Sequence, residues 1–332
     1  MNIWFNHWFS TAYYFIETAK SLGNKVFATN ERDSCIYKMN ADIFEIEPVL
    51  DKEQYVQWAL DFCRKNDIDV FFCKRNMKVI SENINLFKEI GVHVFVEKYE
   101  NILQFESKIN TYNFFLGKDI CDVPEMFVVN DADNFIKYYL YLKEKYGGVC
   151  SKLDVDEGGQ SFKRIVTKEK SFDLVKNYQG FSIHEDDILN LVKQKETFDD
   201  MLLMPYLAGT EYSIDCLNTN RGLVAVPRFK FGGRITRIEN NKELIEIANK
   251  FQKEAELTSG YNIQLRADEN GNLFLLEVNT RLSGGTWKDR LVGVDFIKLA
   301  LEVINKEDID IDKYLSFANI DICKLENGLV IL

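Results

Sequence analysis

Residues Tyr261–Gly285, YNIQLRADENGNLFLLEVNTRLSGG, decide how this chain is read. Two runs of alternating apolar and polar residues flank Asn270-Gly271. That dipeptide is the strongest short hairpin signal, because a two-residue type I′ turn needs positive φ at both central positions and Asn and Gly accept it cheaply. With Asn270-Gly271 as the turn, Glu269 lies opposite Asn272 and, counting outward, Gln264 faces Glu277; Asn279 follows two residues along on the same side. Ile263, Leu265, Leu276 and Val278 then point to the other face, as a packed strand pair requires. The register predicts a carboxylate and two amide oxygens in one place, all hard donors suited to Mg2+ or Mn2+. A plain solvent-facing hairpin edge is the alternative reading. Arg281 follows at once, and Ser283-Gly284-Gly285 offers a turn rich in backbone N–H groups.

Upstream lie residues suited to phosphate. Lys152 sits in the apolar strand Gly148–Leu153, where an unpaired ammonium is costly. The loop DVDEGGQSF follows it, with Gly158, Gly159, Gln160 and Ser161 able to wrap phosphates with backbone donors. A simple hairpin turn is the plainer reading of that loop. Lys108 opens a helix over Lys108–Leu116 and, taken alone, reads as solvated surface. Leu202–Leu207 is an apolar strand with its exit, including Met204, Tyr206 and Leu207. Glu211 stands at the mouth of the half-buried strand Tyr212–Cys216. There it either accepts hydrogen bonds from a ribose diol or is an edge carboxylate.

The first 97 residues alternate strand and helix signals: strands Asn2–Phe5, Lys25–Thr29, Val70–Cys73 and Val92–Val96, with helices from Ala12, near Val56–Cys63 and over Asn83–Ile90. That pattern predicts a parallel α/β sheet with ligands at the carboxyl ends of its strands. The first such end, Asn6–Ser10, holds no glycine, so the GxGxxG of a dinucleotide site is missing. Lys74-Arg75-Asn76 ends another strand and, with the Asn6–Ser10 loop, is expected to help select the substrate. Beyond residue 98, mixed strands with helices to one side predict an α+β unit. Arg228, Arg234 and Arg237 stand out in an acidic chain. With Ser283 and Gly284 they are expected to border an acceptor site, a solvated charged loop being the alternative.

At 332 residues the chain has length for two or three compact units. Its formal charge of −11 repels phosphate backbones and anionic membranes, which argues against nucleic-acid and membrane binding. No apolar run reaches the roughly 18–20 residues of a membrane span, and the N-terminus lacks the basic start of a signal peptide. Seven cysteines without CxxC spacing read as reduced thiols in a cytoplasmic protein. The three histidines have no nucleophile motif beside them, and His93, within an apolar strand, reads as core.

In this order, these residues resemble the ATP-grasp superfamily, particularly carboxylate–amine ligases and the large subunit of carbamoyl phosphate synthase, over about residues 98–300. The resemblance implies a Rossmann-like pre-ATP-grasp α/β domain (1–97), a linker helix and lid subdomain with the glycine-rich loop (98–205), and a C-terminal subdomain with the metal site (206–332). It also implies ATP and one or two Mg2+ ions as cofactors. Lys108 and Lys152 correspond to the phosphate lysines, Gly158–Ser161 to the mobile loop, Met204–Leu207 to the adenine hinge and Glu211 to the ribose acid. Gln264, Glu277 and Asn279 correspond to the metal ligands, and Arg281 to the arginine at the transferred phosphoryl group. Gln264 replaces an acid common in relatives, which leaves less negative charge for metal. The implied activity is ADP-forming activation of a small-molecule carboxylate as an acyl phosphate for attack by an amine or other nucleophile. A non-catalytic ATP-binding module and a bicarbonate-activating carboxylase or carbamoyl phosphate synthase subunit are the alternatives. Family members often dimerise, so a homodimer is among the expected assemblies.

Overall fold

The computed structural model describes residues 1–156, 159–176, 180–231 and 234–323. The chain divides into two compact units. One is Met1–Phe105 with Glu211–Gln264 and Val278–Leu332; the other is Glu106–Thr210 with Leu265–Glu277. The assignment of 265–277 to the second unit has no sequence signal.

In the first unit, β1 (Asn2–Asn6), β2 (Lys25–Asn30), β3 (Ile43–Ile46), β4 (Val70–Phe72) and β5 (His93–Phe95) form a parallel sheet in the order β3-β2-β1-β4-β5. The central strand is apolar on both faces: Ile3, Trp4 and Phe5 are wholly buried, and the Trp4 and Phe71 rings stack at 3.8 Å. The helix Ala12–Ser21 buries Ala12, Phe15, Ile16 and Ala19 at the spacing expected, and Gly23 (φ 80°) turns the chain out of it. Three details differ from expectation. β3 carries no strong strand pattern and forms through pairing with β2. The helix expected over 83–90 is two helices, Met77–Glu82 and Ile84–Glu89, broken at Asn83. His93 is exposed, because it opens the edge strand β5.

β1 pairs with β2 on one side and β4 on the other, so the carboxyl ends of β1 and β4 form the switch point of the sheet. Asn6 fixes this corner. Its side-chain oxygen accepts from the backbone N–H of Lys74 (2.7 Å), and its nitrogen donates to Tyr55 Oη (2.7 Å) and to the carbonyl of Arg75 (3.1 Å).

In the second unit, β6 (Phe127–Val129), β7 (Val149–Leu153), β8 (Lys163–Val166), β9 (Ser182–His184) and β10 (Met201–Pro205) take the order β6-β10-β7-β8-β9. The helix Ala132–Tyr146 covers one face, packing Phe135, Tyr139 and Leu142 on Val149, Ile165 and Leu203. The polar stretch 168–200 includes β9, which pairs in parallel with β8.

The third sheet runs β15-β14-β11-β12-β13-β16, from β11 (Glu211–Thr219), β12 (Gly222–Lys230), β13 (Ile235–Ile238), β14 (Tyr261–Ala267), β15 (Leu273–Asn279) and β16 (Ile320–Cys323). Arg228 and Arg237 therefore lie in strands and not in a loop.

The turn at Asn270-Gly271 also differs from expectation. The N–H of Gly271 donates to the Asp268 carbonyl (3.3 Å) and that of Asp268 to the Asn272 carbonyl (2.9 Å). The loop thus has three residues, with Gly271 (φ 90°) in the left-handed position of a bulged turn. Asp268 selects this form: its carboxylate accepts from the N–H groups of Asn270 (2.8 Å) and Asn272 (2.9 Å). In β15 Leu275 and Val278 are buried and Leu276 is only half-buried, so Leu276 does not join the core as the two-residue turn predicts.

Candidate active site

The second unit holds two buried ammonium groups. Ser107 caps the helix Lys108–Phe115 by accepting from Asn110 N (3.1 Å), and Lys108 Nζ donates to the Asp154 carbonyl (3.0 Å). Lys152 Nζ donates to Tyr112 Oη (2.7 Å) and to the Leu276 carbonyl (3.1 Å). Lys108 is 7% exposed and Lys152 8%, against the expectation of a solvated Lys108. Both make only neutral hydrogen bonds, and among the described residues neither forms an ion pair. Burial lowers both pKa values. The neighbouring Lys152 charge lowers Lys108 further, while Glu277, Asp156 and Asp154 oppose the shift at both lysines, with Cys150 adding to them at Lys152.

The loop after β7 is partly described. Gly158 lies outside the described residues, Gly159 has φ 67°, and Gln160 is exposed. Ser161 Oγ donates to Asp156 (2.5 Å) and accepts from the N–H of Leu153 (3.0 Å), which ties the far end of the loop to β7.

Met204, buried in β10, lies opposite Cys150; Tyr206 N donates to the Gly148 carbonyl (2.9 Å), and Leu207 is buried beyond it. The Tyr206 ring carries the guanidinium of Arg164 at 4.7 Å and that of Arg266 at 5.6 Å. Neither arginine emerges from the sequence reading, since they come from separate strands and meet only through the fold. Gly209 is required where it stands, because a Cβ would lie 2.7 Å from the carbonyl oxygens of Ala267 and Asp268.

The first unit carries the remaining residues. Glu211 pairs across β11 and β12 with Lys230. Gln264 Nε2 donates to Asn262 Oδ1 (3.2 Å), which ties its nitrogen back. Gln264 and Asn279 belong to this unit and Glu277 to the second. Arg281 lies over the Phe9 ring at 4.8 Å.

Arg228 departs most from expectation. It is 2% exposed, bonded to Asp215, Ser213 Oγ (3.3 Å) and Ser283 Oγ (2.8 Å), with Nε 3.3 Å from Asp289. A guanidinium committed to two buried acids is not available to a substrate. Asn262 joins the same network, donating to Asp215 Oδ1 (2.8 Å) and Ser213 Oγ (2.9 Å), so hydrogen bonds run from Gln264 to Ser283. Ser283 is thus a buried structural hydroxyl, also accepting from the N–H of Gly285 (3.1 Å). Gly285 lies flat on Arg228: a Cβ there would come within 1.9 Å of Nη1. Burial, with the Asp215 charge, outweighs Arg228 and pushes the Asp289 carboxyl well above its usual range. Arg237 is paired with Asp321 (2.7 Å), Arg234 is exposed, and Gly284 lies against the Phe9 ring.

Two buried ammoniums whose hydrogen bonds among the described residues go to neutral acceptors are an arrangement that can take a polyanion. Comparison with known proteins bears on this arrangement. Residues 197–325 match the family model described as ATP-grasp in the biosynthetic pathway with Ter operon. No curated protein matches. Among solved structures, N5-carboxyaminoimidazole ribonucleotide synthetase (PurK) in its ADP complex is similar at a TM-score of 0.70 and 11% identity, covering 93% of this chain and 78% of that one. The N5-carboxyaminoimidazole synthetase of Staphylococcus aureus with ADP gives 0.68, 14%, 93% and 78%. Biotin carboxylase of Campylobacter jejuni, in a β,γ-ATP complex, gives 0.69, 16%, 97% and 75%. Among the described residues no helix is long and apolar enough to cross a membrane. The chain has the ATP-grasp fold, and its residues 197–325 carry the signature of an ATP-grasp family.

Proposed function

We propose that the protein is an ATP-dependent, ADP-forming ligase that activates a small-molecule carboxylate as an acyl phosphate and passes the acyl group to an amine. The observation that carries this reading is the pair of buried ammoniums, Lys108 and Lys152, that lack a carboxylate partner among the described residues. A triphosphate supplies the compensating charge. Tyr206 and Leu207 offer backbone groups to adenine, Glu211 accepts from the ribose, and the turn at Gly159–Ser161 donates to the phosphates. Gln264, Glu277 and Asn279 would hold Mg2+, which when bound neutralises the triphosphate and polarises its terminal phosphoryl group. With one carboxylate in that set, the charge balance favours a single ion.

The substrate carboxylate attacks the γ-phosphorus, the bond to the β,γ-bridging oxygen breaks, and ADP leaves. Arg281 stabilises charge on the transferred group. An amine then displaces phosphate and releases a proton as the amide forms. The chain contributes positioning and electrostatics, with no covalent step on a side chain.

The test is ADP and phosphate release over carboxylates, bicarbonate included, each paired with amines. Turnover that depends on both acid and amine, and falls at least a hundredfold in Glu277→Gln, is the expected result. ATP binding without turnover for any pair would favour a non-catalytic nucleotide module. Turnover unaffected by Glu277→Gln would overturn the metal assignment.

A further inference from the structure

Asn262 is wholly buried in β14, and both ends of its amide are committed. Nδ2 donates to Asp215 Oδ1 (2.8 Å), to Ser213 Oγ (2.9 Å) and to the carbonyl of Ile214 (3.2 Å). A carboxylate and a peptide carbonyl only accept, so this end of the amide is the NH2 group and the other end the oxygen. Asp215 is itself fixed, because its second oxygen is bonded to Arg228, which Ser283 and Asp289 hold in turn. Buried partners therefore dictate where Asn262 Oδ1 lies. It faces Gln264, two residues along on the same side of the strand, and accepts from Nε2 at 3.2 Å.

Two consequences follow at position 264. A glutamine there spends its nitrogen on Asn262, so Oε1 is the side-chain atom that remains to ligate a cation. A glutamate there has no proton to offer Oδ1. Its carboxylate either faces a carbonyl oxygen or turns away and leaves a buried acceptor without a donor, and both arrangements are costly.

We infer that Asn262 is a positioning residue for the proposed cation site: it selects glutamine over glutamate at 264 and sets which atom of that glutamine meets the metal. It thereby keeps one negative charge out of the ligand set. The inference rests on the assignment of Gln264 to the metal and adds the residue that orients it.

The probe is Mn2+, whose Kd for the ADP-saturated chain is read from the free-ion signal in electron paramagnetic resonance, with no turnover required. Wild type is compared with Gln264→Leu, Gln264→Glu, Asn262→Ser and the double variant Asn262→Ser with Gln264→Glu, each checked for folding by its melting curve. Gln264→Leu, which removes the ligating oxygen, should weaken Mn2+ by about tenfold or more. Gln264→Glu, despite its added charge, should bind Mn2+ no more tightly than wild type. Asn262→Ser, which lets the glutamine rotate, should weaken Mn2+ by about threefold or more. In that background Gln264→Glu should tighten it, because a serine hydroxyl can donate to the carboxylate. A lost strand contact does not produce that reversal of sign. If Asn262→Ser fails to fold, the comparison of Gln264→Glu with Gln264→Leu decides alone. Mn2+ binding weakened by Gln264→Leu but tightened by Gln264→Glu in the Asn262 background overturns the inference and keeps the metal assignment. Mn2+ affinity untouched by Gln264→Leu overturns both. The expected Mn2+ pattern in a protein without ligase turnover upholds the inference and removes the ligase reading.

Discussion

Replacing Arg228 by Met removes the guanidinium held between two buried carboxyl groups. Asp215 and Asp289 are wholly buried, Asp215 bonds directly to the guanidinium, and Asp289 lies 3.3 Å from its Nε. Breaking a buried pair from one side costs about 3–5 kcal/mol, since the remaining charge has neither water nor partner. At roughly 2–4 °C per kcal/mol for a unit of this size, melting should fall by about 6–20 °C. Asp289→Asn should behave differently. Because burial and Asp215 push its pKa well up, Asp289 holds its proton in the folded state, and an amide of the same shape should cost less than about 1 kcal/mol. The pH dependence gives a second reading. The unfolded Asp289 releases its proton near pH 3.9 while the folded one retains it. This group therefore lowers stability as pH rises from about 4 towards the folded pKa, by up to about 1.4 kcal/mol per pH unit. Asp289→Asn should flatten that slope. Thermal melts and urea denaturation of the three proteins from pH 4 to 8 measure the two effects. A melting point for Arg228→Met within 2 °C of wild type, or an Asp289→Asn loss as large as that of Arg228→Met, would refute the reasoning.

Lys152→Met should separate stability from binding. It removes a buried ammonium while Tyr112 Oη keeps its 2.8 Å bond to the Leu276 carbonyl, so thermal stability should hold or rise while ATP affinity, measured by titration, falls at least tenfold. Because the folded Lys152 pKa is lowered, wild type should gain stability as pH rises through the window below about 10.4, and that gain should shrink in the variant. Gly285→Ala should cost about 1–3 kcal/mol in chemical denaturation, since its Cβ would meet a guanidinium pinned by two acids and unable to give way.

The parallel sheet was legible because its strands are short apolar runs separated by helices with 3.6-residue spacing, and Ala12, Phe15, Ile16 and Ala19 lie buried as that spacing requires. Lys152 was legible for a related reason: a charge inside an apolar strand has no inexpensive explanation, and the fold buries it as the sequence implies. What failed depends on contacts between distant stretches. Asn270-Gly271 suits a two-residue turn, but Asp268 captures two backbone N–H groups and makes the three-residue loop the better bonded form. Arg228 reads as a surface cation because its run is basic, whereas the acids that bury it lie at 215 and 289, outside any local window. The Tyr206 cluster with Arg164 and Arg266 was hidden in the same way.

The two cationic clusters carry opposite physical meanings. Arg228 is buried with acids that balance it, so its neighbourhood is electrically complete without a ligand, and such a network specifies shape. Lys108 and Lys152 hydrogen-bond only to a phenol and peptide carbonyls among the described residues, and Glu277, Asp156 and Asp154 act on them through their charge without a direct ion pair, so theirs is less complete. A chain with 52 acidic residues and 41 basic ones had carboxylates to spare for pairing them. Leaving two adjacent ammoniums to neutral acceptors costs folding energy, and that cost is recovered when an anion arrives. On this argument it is the incomplete pair, and not the density of basic residues along the sequence, that supports the proposed nucleotide site.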